Sequence, residues 1–454
     1  MLTKSDFLLY LEAPVHLWAK KHIQSYKEIL SEYERFLMEQ GKEVEKLARN
    51  LLPSAEWQKT FRVGEFETRA DALLKNADGT YDLYEVKSIT NIEKEHIYDV
   101  IFQSIVIGKN IQLNRIFLVT LNKEYILEDT LNINTLFVKN DVTNKVRELT
   151  SETESKMAEA LKVTNSKSTN YIENCLKPKD CPCLDLCYPN LPEKSIFDIP
   201  LLSPKKKRTL VDSKIFEIKD IPLSFELSPK QKLIAGVIRS DLPHLNKQNL
   251  QEFLNTFIYP LYFLDYETYS LAVPIHKGYK PYQHMVFQYS LHIIDRDKNI
   301  EHKEYLEIED REPSKKLLEK LKNDIGNTGT VIVWNSTFES ERNRDMATLC
   351  PKHKEFLDNI NSRIVDLADF IKKEYYIHPG FLGSWSIKNV LPVMVPELSY
   401  KNLKVNKGDV AMIAWWELIH SEDKSVAKDL LEYCGLDSLA MVEIWRKLNN
   451  LLVN

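Results

Sequence analysis

Short apolar runs that end in charged residues alternate along this chain with longer stretches whose apolar positions recur every three to four residues. In the second half, residues 261–268 and 330–333 are two such apolar runs, and residues 430–445 carry the helical spacing. A short apolar run predicts a buried strand, and a longer periodic stretch predicts a helix. Strands mixed with helices predict an α/β protein.

The first half of the chain predicts a β-hairpin. Residues 66–74 and 81–88 alternate as strands do, and residues 76–79 supply a turn that ends in Asp-Gly. A helical stretch, 96–103, follows the returning strand. The hairpin places its inward-facing polar residues side by side.

Acidic residues stand at the ends of the predicted elements in the second half. Asp265 and Glu267 are two positions apart on a strand, so both carboxylates point to one face. Tyr433 and Asp437 are four positions apart on a helix and share one of its faces. Glu339 follows the strand at 330–333 through a polar turn that begins a helix.

These side chains have the chemistry of a divalent metal site. The four carboxylates are those of Asp265, Glu267, Glu339 and Asp437. Carboxylates are the hard oxygen ligands that hold two Mg²⁺ or Mn²⁺ ions for in-line phosphoryl displacement. Tyr433 is expected to orient or deprotonate the attacking water. An isolated Asp-x-Glu pair is also compatible with an exposed strand end, so the hypothesis depends on the three segments meeting.

The predicted hairpin carries a second set of candidate residues. Glu85 and Lys87 share a face of the returning strand, and the hairpin brings Asp71 alongside them. Asp71 and Glu85 are expected to bind metal, and Lys87 to position water and stabilise developing negative charge. Glu-x-Lys alone is common on amphipathic strands, and the hairpin context is what favours a site.

Cysteine usage indicates a third site. Four of the six cysteines, Cys175, Cys181, Cys183 and Cys187, fall within thirteen residues. In the reducing compartment expected for a chain without an export signal, such a group favours a thiolate-bound metal over disulfides. Four thiolates suit either a [4Fe–4S] cluster or tetrahedral zinc, and the spacing does not choose between them.

The order of acidic motifs in the second half resembles that of the DEDD exonuclease superfamily, the DnaQ-like branch of the ribonuclease H fold. Tyr433 four residues before Asp437 is similar to its tyrosine subclass, since the histidine subclass would have His at position 432, which is Glu. The second motif of that superfamily usually ends in Asp, and this chain has Glu339 there. The resemblance implies exonuclease activity at a 3′ end.

The Asp…Glu-x-Lys pattern of the first half resembles RecB-like nucleases of the PD-(D/E)XK class. Gln103 matches the glutamine that follows this motif, whereas Ile107 stands where a tyrosine is common. The helix that often supplies a histidine has none, and Glu45 is either a substitute or part of a solvated helix face. Cluster-containing relatives hold iron and sulfur with one early and three late cysteines. Here the early position is Ala13, so either Cys183 supplies the fourth ligand or the cluster is incomplete or absent.

The whole chain resembles an uncharacterised bacterial family, known as a domain of unknown function, in which a RecB-like module with clustered cysteines precedes a DnaQ-like module. The resemblance implies a restriction-endonuclease-like α/β domain followed by a ribonuclease H-like (DnaQ-type) α/β domain. The expected boundaries are residues 1–190 for the first, with its cysteine group at 175–187, 191–255 for a linker whose later part, 228–254, is a helical segment, and 256–454 for the second. Within the second module, Pro392, Pro396 and then Gly408 predict that residues 389–406 form a loop that enters a last helical layer.

Composition and charge agree with this picture. The chain is 43% hydrophobic and 28% charged, as ordinary globular proteins are, and no apolar run approaches the roughly 20 residues of a membrane span. The N-terminus lacks a basic segment before an apolar one, so a cytoplasmic protein without a membrane partner is expected. A net charge of −5 argues against nonspecific coating of nucleic acid but not against a nuclease.

The sequence therefore predicts a metal-dependent hydrolase of nucleic acid phosphodiesters, with 3′–5′ exonuclease activity in the second module, DNA favoured over RNA, and a second, RecB-like centre. Lys388 is expected either to contact a phosphate or to be an exposed helix lysine. Two alternatives stay open: a catalytically inert nucleic-acid-binding or scaffold protein, and an iron–sulfur redox sensor that binds DNA. Sequence preference, protein partners, pathway and oligomeric state are outside what the sequence indicates.

Overall fold

The computed structural model describes residues 1–24, 26 and 30–453. The chain forms two compact units. The first comprises residues 1–190 and 271–283, and the second comprises 191–270 and 284–454. Residues 191–255, treated above as a linker, thus fold as part of the second unit, while thirteen residues from the second half fold with the first.

The first unit contains six strands and seven α-helices. The strands are β1 (Leu2–Thr3), β2 (Glu56–Val63), β3 (Phe66–Lys75), β4 (Tyr81–Val86), β5 (Leu113–Leu121) and β6 (Phe137–Asp141). The helices are α1 (Lys4–Glu12), α2 (Pro14–His22), α3 (Glu32–Leu51), α4 (Lys94–Gly108), α5 (Ile133–Leu136), α6 (Thr143–Asn165) and α7 (Leu184–Cys187).

All six strands form one mixed sheet in the order β1-β3-β4-β5-β6, with β2 also paired to β3. The predicted hairpin is β3 and β4, which pair antiparallel with Ala72 opposite Tyr84. Side chains alternate between two apolar cores: Leu73 and Leu83 pack with α1, α4 and α6, while Ala72 and Tyr84 pack on the α3 side. Residues 71, 85 and 87 alternate in step with Leu73 and Leu83. Their side chains therefore lie on the face of the sheet that packs against α1 and α4.

The second unit contains seven strands and ten α-helices. The helices are α8 (Pro204–Asp212), α9 (Pro229–Ser240), α10 (Lys247–Asn255), α11 (Ser314–Asp324), α12 (Ser336–Leu349), α13 (Lys354–Ser362), α14 (Asp369–Lys372), α15 (Ile387–Met394), α16 (Gly408–His420) and α17 (Val426–Val453). The strands are β7 (His244–Leu245), β8 (Leu261–Tyr269), β9 (Met285–Ile294), β10 (Ile300–Leu306), β11 (Thr330–Val333), β12 (Ile364–Asp366) and β13 (Tyr376–Ile377).

Five of these strands form a mixed sheet in the order β10-β9-β8-β11-β12, in which β8 is antiparallel to β9 and parallel to β11. Even-numbered residues of β8, such as Tyr262 and Leu264, pack in the core that contains α11 and α13. Odd-numbered residues face the other way, where Phe263 meets Trp445 of α17. The central strand therefore directs Asp265 and Glu267 toward α17.

Two local expectations need correction. The stretch 228–254 is not one helical segment but two helices, α9 and α10, separated by β7. Residues 389–394, expected from Pro392 to belong to a loop, lie in α15 with the proline inside the helix. No helix of the described residues is long and apolar enough to cross a membrane.

Candidate functional site

The acidic pair of β8 lies at the centre of the second unit's candidate site. Glu267 is 8% exposed, and a carboxylate oxygen of each residue of the pair lies within 4.8 Å of the other and of the Cys434 sulfur. The Cys434 thiol donates to Asp265 Oδ2 at 3.6 Å. Burial and the neighbouring Asp265 raise the pKa of Cys434 well above its usual value, so it remains a neutral donor.

Helix α17 brings the third carboxylate to the pair. Asp437 is 7% exposed and accepts hydrogen bonds from Tyr433 on the preceding turn and from Tyr400 Oη, the latter at 2.5 Å. The helix is fixed against β9, because Gln288 Nε2 donates to the Leu430 carbonyl at 2.9 Å. Tyr433 and Asp437 thus share one helix face, as their spacing predicts.

Glu339 enters from the first turn of α12. It is 3% exposed, and within the described part of the chain its Oε2 has no hydrogen-bond partner. Asp366, at the end of β12, accepts a hydrogen bond from the Ser336 amide at 3.0 Å and so caps the start of this helix. Its Oδ1 accepts from the Ala368 amide, and Lys372 Nζ pairs with its Oδ2 at 2.9 Å. Asp366 is therefore a capping residue that positions Glu339.

Electrostatics show that these carboxylates are crowded. Burial, followed by the charge of Asp437, raises the pKa of Asp265 and of Glu267 well above the usual values. Burial also raises the pKa of Glu339 to about 8, with a further contribution from Asp366. The pKa of Asp437 is raised to about 6 by burial, against the opposing effect of the Tyr400 hydrogen bond. Buried carboxylates whose ionised forms repel one another are the setting that bound cations stabilise.

Lys388, on α15, is the cation that faces this group. Its Nζ donates to the Asn406 carbonyl at 2.9 Å and lies 5.4 Å from the ring centroid of Tyr433. Its charge lowers the pKa of Glu267 and of Asp437, against the larger opposing effect of burial. It is half-buried in the site rather than an exposed helix lysine.

The carboxylates fit a divalent-metal site. Among the described residues, no lysine or arginine forms an ion pair with any of the four. Their oxygens are hard ligands of the kind that Mg²⁺ and Mn²⁺ prefer. Asp265 and Glu267 form the close pair, and Asp437 and Glu339 lie around it within electrostatic reach.

Mn²⁺ is expected to raise the midpoint of thermal unfolding. At an ion concentration about 100-fold above Kd, one bound ion adds about 2.7 kcal/mol, which is several degrees for a domain of this size. Scanning fluorimetry with MnCl₂ and with EDTA measures the shift. Asp265→Asn should abolish most of it and should unfold no earlier than wild type in EDTA, because it relieves repulsion. An unchanged shift in Asp265→Asn would place the ion elsewhere, and Asp358→Asn, on the exposed face of α13, is the control.

Asp366→Ala is expected to lower the free energy of unfolding by about 1–2 kcal/mol, because the Ser336 amide at the start of α12 loses its side-chain acceptor while the Asn335 cap is kept. Urea unfolding of the full chain measures the loss. Asp369→Ala removes a nearby carboxylate that pairs with Lys373 at 2.8 Å, and should cost less. Equal losses for the two variants would argue against capping as the role of Asp366.

In the first unit, β3 and β4 bring their acidic residues together. Asp71 Oδ2 accepts a hydrogen bond from the Val86 amide at 2.9 Å, and Glu85 is 1% exposed. Burial and the charge of Glu85 raise the pKa of Asp71 to about 8. Burial alone would raise the pKa of Glu85, but the ammonium groups of Lys87 and Lys4 lower it. The pKa of Asp71 is therefore raised, whereas that of Glu85 is lowered.

Lys87 belongs to a buried charge network. Its Nζ lies 2.9 Å from Glu85 Oε1 and pairs with Asp99 of α4. Lys4 of α1 lies 2.7 Å from the same Glu85 oxygen and 3.5 Å from Asp99. Gln103 Nε2 donates to Asp99 at 2.9 Å. Gln103 thus acts on this network through Asp99, and the structure adds Lys4 and Asp99 to the residues expected from the sequence.

Glu45 of α3 reaches the same centre through one intermediary. Gln58 Nε2 donates to Glu45 at 3.0 Å and lies 3.5 Å from Asp71 Oδ1. Gln58 has φ 58°, a left-handed conformation that costs energy for a non-glycine residue, and it lies within β2. Glu45 also pairs with Arg49 at 2.8 Å, so it is neither a free helix carboxylate nor a direct neighbour of Asp71.

The four clustered cysteines come together in the first unit. Cys181 Sγ lies 3.9 Å from Cys183 Sγ and 3.6 Å from Cys187 Sγ. A fifth donor joins them: Nε2 of His16, on α2, lies 3.4 Å from Cys181 Sγ. His16 follows Ala13, the expected early position, by one helical turn, and this proximity in sequence is the signal that could have identified it.

Comparisons with known proteins show that part of the chain is similar to uncharacterised sequences. The family described as a domain of unknown function (DUF2779) matches residues 262–386, a stretch that holds Asp265, Glu267 and Glu339. Uncharacterized protein MG366 of Mycoplasma genitalium is 30% identical over 207 residues, which cover 40% of this chain and 31% of that protein. Uncharacterized protein UU173 of Ureaplasma parvum is 25% identical over 215 residues, covering 40% of this chain and 30% of that protein.

The match spans about a third of the length of these relatives. Among solved structures, the crystal structure of SSO0001 is similar at 14% identity, covering 34% of this chain and 74% of that one, with a TM-score of 0.20. A likeness at this TM-score carries no argument about the fold. The chain is thus a two-unit α/β protein that is similar to proteins of unknown function.

Proposed function

We propose that this protein is a metal-dependent nuclease whose main centre, in the second unit, removes nucleotides from 3′ ends of nucleic acid, DNA in preference to RNA. The observation that carries the proposal is a group of four carboxylates delivered by β8, α12 and α17, of which Glu267, Glu339 and Asp437 are buried and Asp265 is partly buried, with no ion-paired cation among the described residues. We also propose that the first unit is restriction-endonuclease-like and the second ribonuclease H-like.

Divalent ions at such a site lower the pKa of water and stabilise the charge that develops on a phosphoryl group. Asp265, Glu267 and Asp437 would hold them, with Glu339 as the ligand from α12. Tyr433 donates to Asp437, so its phenol orients the carboxylate and a nearby water rather than acting as a base. Lys388 carries a positive charge at the same place and would contact a substrate phosphate.

The first unit offers a second centre. Asp71 and Glu85 are its proposed metal ligands, and Lys87 its charge-stabilising residue. The ion pairs of Lys87 with Glu85 and Asp99 hold its ammonium group beside the carboxylates, which supports this role. Gln103 is proposed to position Asp99. Whether this centre acts on the same strand as the other is decided by experiment.

Cleavage of single-stranded DNA and RNA, labelled separately at the 5′ and 3′ ends, tests the proposal in Mg²⁺ and in Mn²⁺. The expected result is a ladder of products shortened from the 3′ end, kept in Lys87→Ala and lost in Asp265→Asn. Loss in Lys87→Ala alone would move the activity to the first unit. Tight binding without cleavage of any substrate would favour an inert nucleic-acid-binding protein.

A further inference from the structure

The cysteine group contains five donors rather than four, and their spacing identifies the kind of metal site they form. His16, Cys175 and Cys181 have ligand atoms that all lie within 4.8 Å of one another. The sulfurs of Cys181, Cys183 and Cys187 form a second such set. Cys181 belongs to both sets and is the centre of the group.

These separations match ligands that share one ion. With Zn–S bonds of about 2.3 Å and tetrahedral angles, two thiolates on one zinc stand about 3.8 Å apart. A thiolate and an imidazole nitrogen on one zinc stand about 3.6 Å apart. The observed values are 3.9 and 3.6 Å between sulfurs and 3.4 Å between Cys181 Sγ and His16 Nε2.

A [4Fe–4S] cluster does not fit this arrangement. In such a cluster each cysteine binds a different iron, and the irons occupy alternate corners of a cube. Its thiolates therefore stand further apart than ligands of a single ion, and the cube needs room between them. Three sulfurs within 4.8 Å of one another leave no such room.

His16 has the surroundings of a metal-binding histidine. It is fully buried, and α2 aims its Nε2 at Cys181. Its Nδ1 faces Oε1 of Glu12 at 3.7 Å, which is longer than a hydrogen bond, and has no hydrogen-bond partner among the described residues. Metal-bound histidines commonly direct their second nitrogen at a carboxylate, which fixes the ring and its tautomer.

We propose that this group binds one tetrahedral Zn²⁺ ion, that His16 and Cys181 are two of its ligands, and that two more thiolates complete a Cys₃His set. The ion would tie the N-terminal helix α2 to the segment around α7, which has few regular elements of its own. His16 would then supply the early ligand that cluster-containing relatives have as a cysteine and that is Ala13 in this chain. This assignment is independent of the nuclease chemistry.

Metal analysis of the full-length protein, purified anaerobically without affinity metals, is the first test. The expected result is one zinc per chain, no acid-labile sulfide and no visible colour. Four irons and four sulfides per chain, with brown absorption, would overturn the proposal, as would a protein that retains no metal after equilibration with zinc.

Cobalt substitution tests the role of His16. Co²⁺ in place of zinc should give the absorption of three thiolates and one nitrogen. His16→Ala should lose metal to a chelator at least about 10-fold more readily, since even outer-shell partners are worth about 10–100-fold in affinity. His16→Cys should restore binding and shift the cobalt spectrum toward four thiolates.

His22→Ala is the matched control, because His22 lies on the same helix and bonds the Thr164 carbonyl at 2.8 Å instead of a cysteine. It should bind metal as wild type does. An unaltered cobalt spectrum and chelator sensitivity in His16→Ala would remove His16 from the ligand set.

Discussion

Asp265→Asn is expected to reduce 3′-end cleavage by about 10²–10⁴-fold while leaving the fold intact. Metal ions supply several kcal/mol of transition-state charge stabilisation, and each 1.36 kcal/mol is about tenfold in rate. Asp265 lies within 4.8 Å of Glu267 at the centre of the group, so its loss should disturb metal binding more than loss of the outlying Glu339. Single-turnover cleavage of 3′-labelled substrate, with enzyme in excess, measures the chemical step.

Asp358→Asn provides the control for that experiment. It makes the same chemical change on α13, where Asp358 pairs with Lys354 and is 54% exposed. It should cleave at the wild-type rate. A wild-type rate in Asp265→Asn as well would show that the carboxylate group of the second unit does not carry the reaction.

Asp99→Ala is expected to destabilise the first unit by about 3 kcal/mol. Removing one partner of a buried ion pair costs about 3–5 kcal/mol, and the lower value applies because the Lys4 and Lys87 side chains are 25% and 20% exposed. The two ammonium groups would be left sharing Glu85. Hydrogen exchange in peptides from β4 and α4 measures the local loss of protection in the full chain.

Glu95→Ala, at the exposed start of the same helix, should leave that protection unchanged. Its carboxylate is 75% exposed and lies near only the His96 ring. Surface substitutions of this kind have small effects on stability. Equal protection from hydrogen exchange in Asp99→Ala and Glu95→Ala would contradict this prediction. It would mean that the buried network stabilises the fold no more than an exposed ion pair does.

Local periodicity was enough to predict the elements that carry the acids. The face shared by Asp265 and Glu267 follows from the two-residue repeat of a strand, and that shared by Tyr433 and Asp437 from the helical repeat. The hairpin of β3 and β4 follows from its alternation and Asp-Gly turn. These relations depend on residues near one another in sequence.

Pro392 shows where local rules fail. A proline inside a helix removes a backbone donor and usually ends the helix. Here α15 continues from Ile387 to Met394, with Val390 and Leu391 fully buried. Burial of apolar side chains outweighs the local cost, and this energy depends on neighbours that the local sequence does not contain.

Only the tertiary structure shows which residues contact one another when they are far apart in the chain. Tyr400 reaches Asp437, Lys4 and Asp99 surround Glu85 and Lys87, and His16 reaches Cys181 across 165 residues. The sequence determined which residue types could bind metal and on which elements they lie, because periodicity is a local property. Only the packing of sheets against helices decided which donors meet, because distances between distant segments are set by the shared cores and not by spacing along the chain.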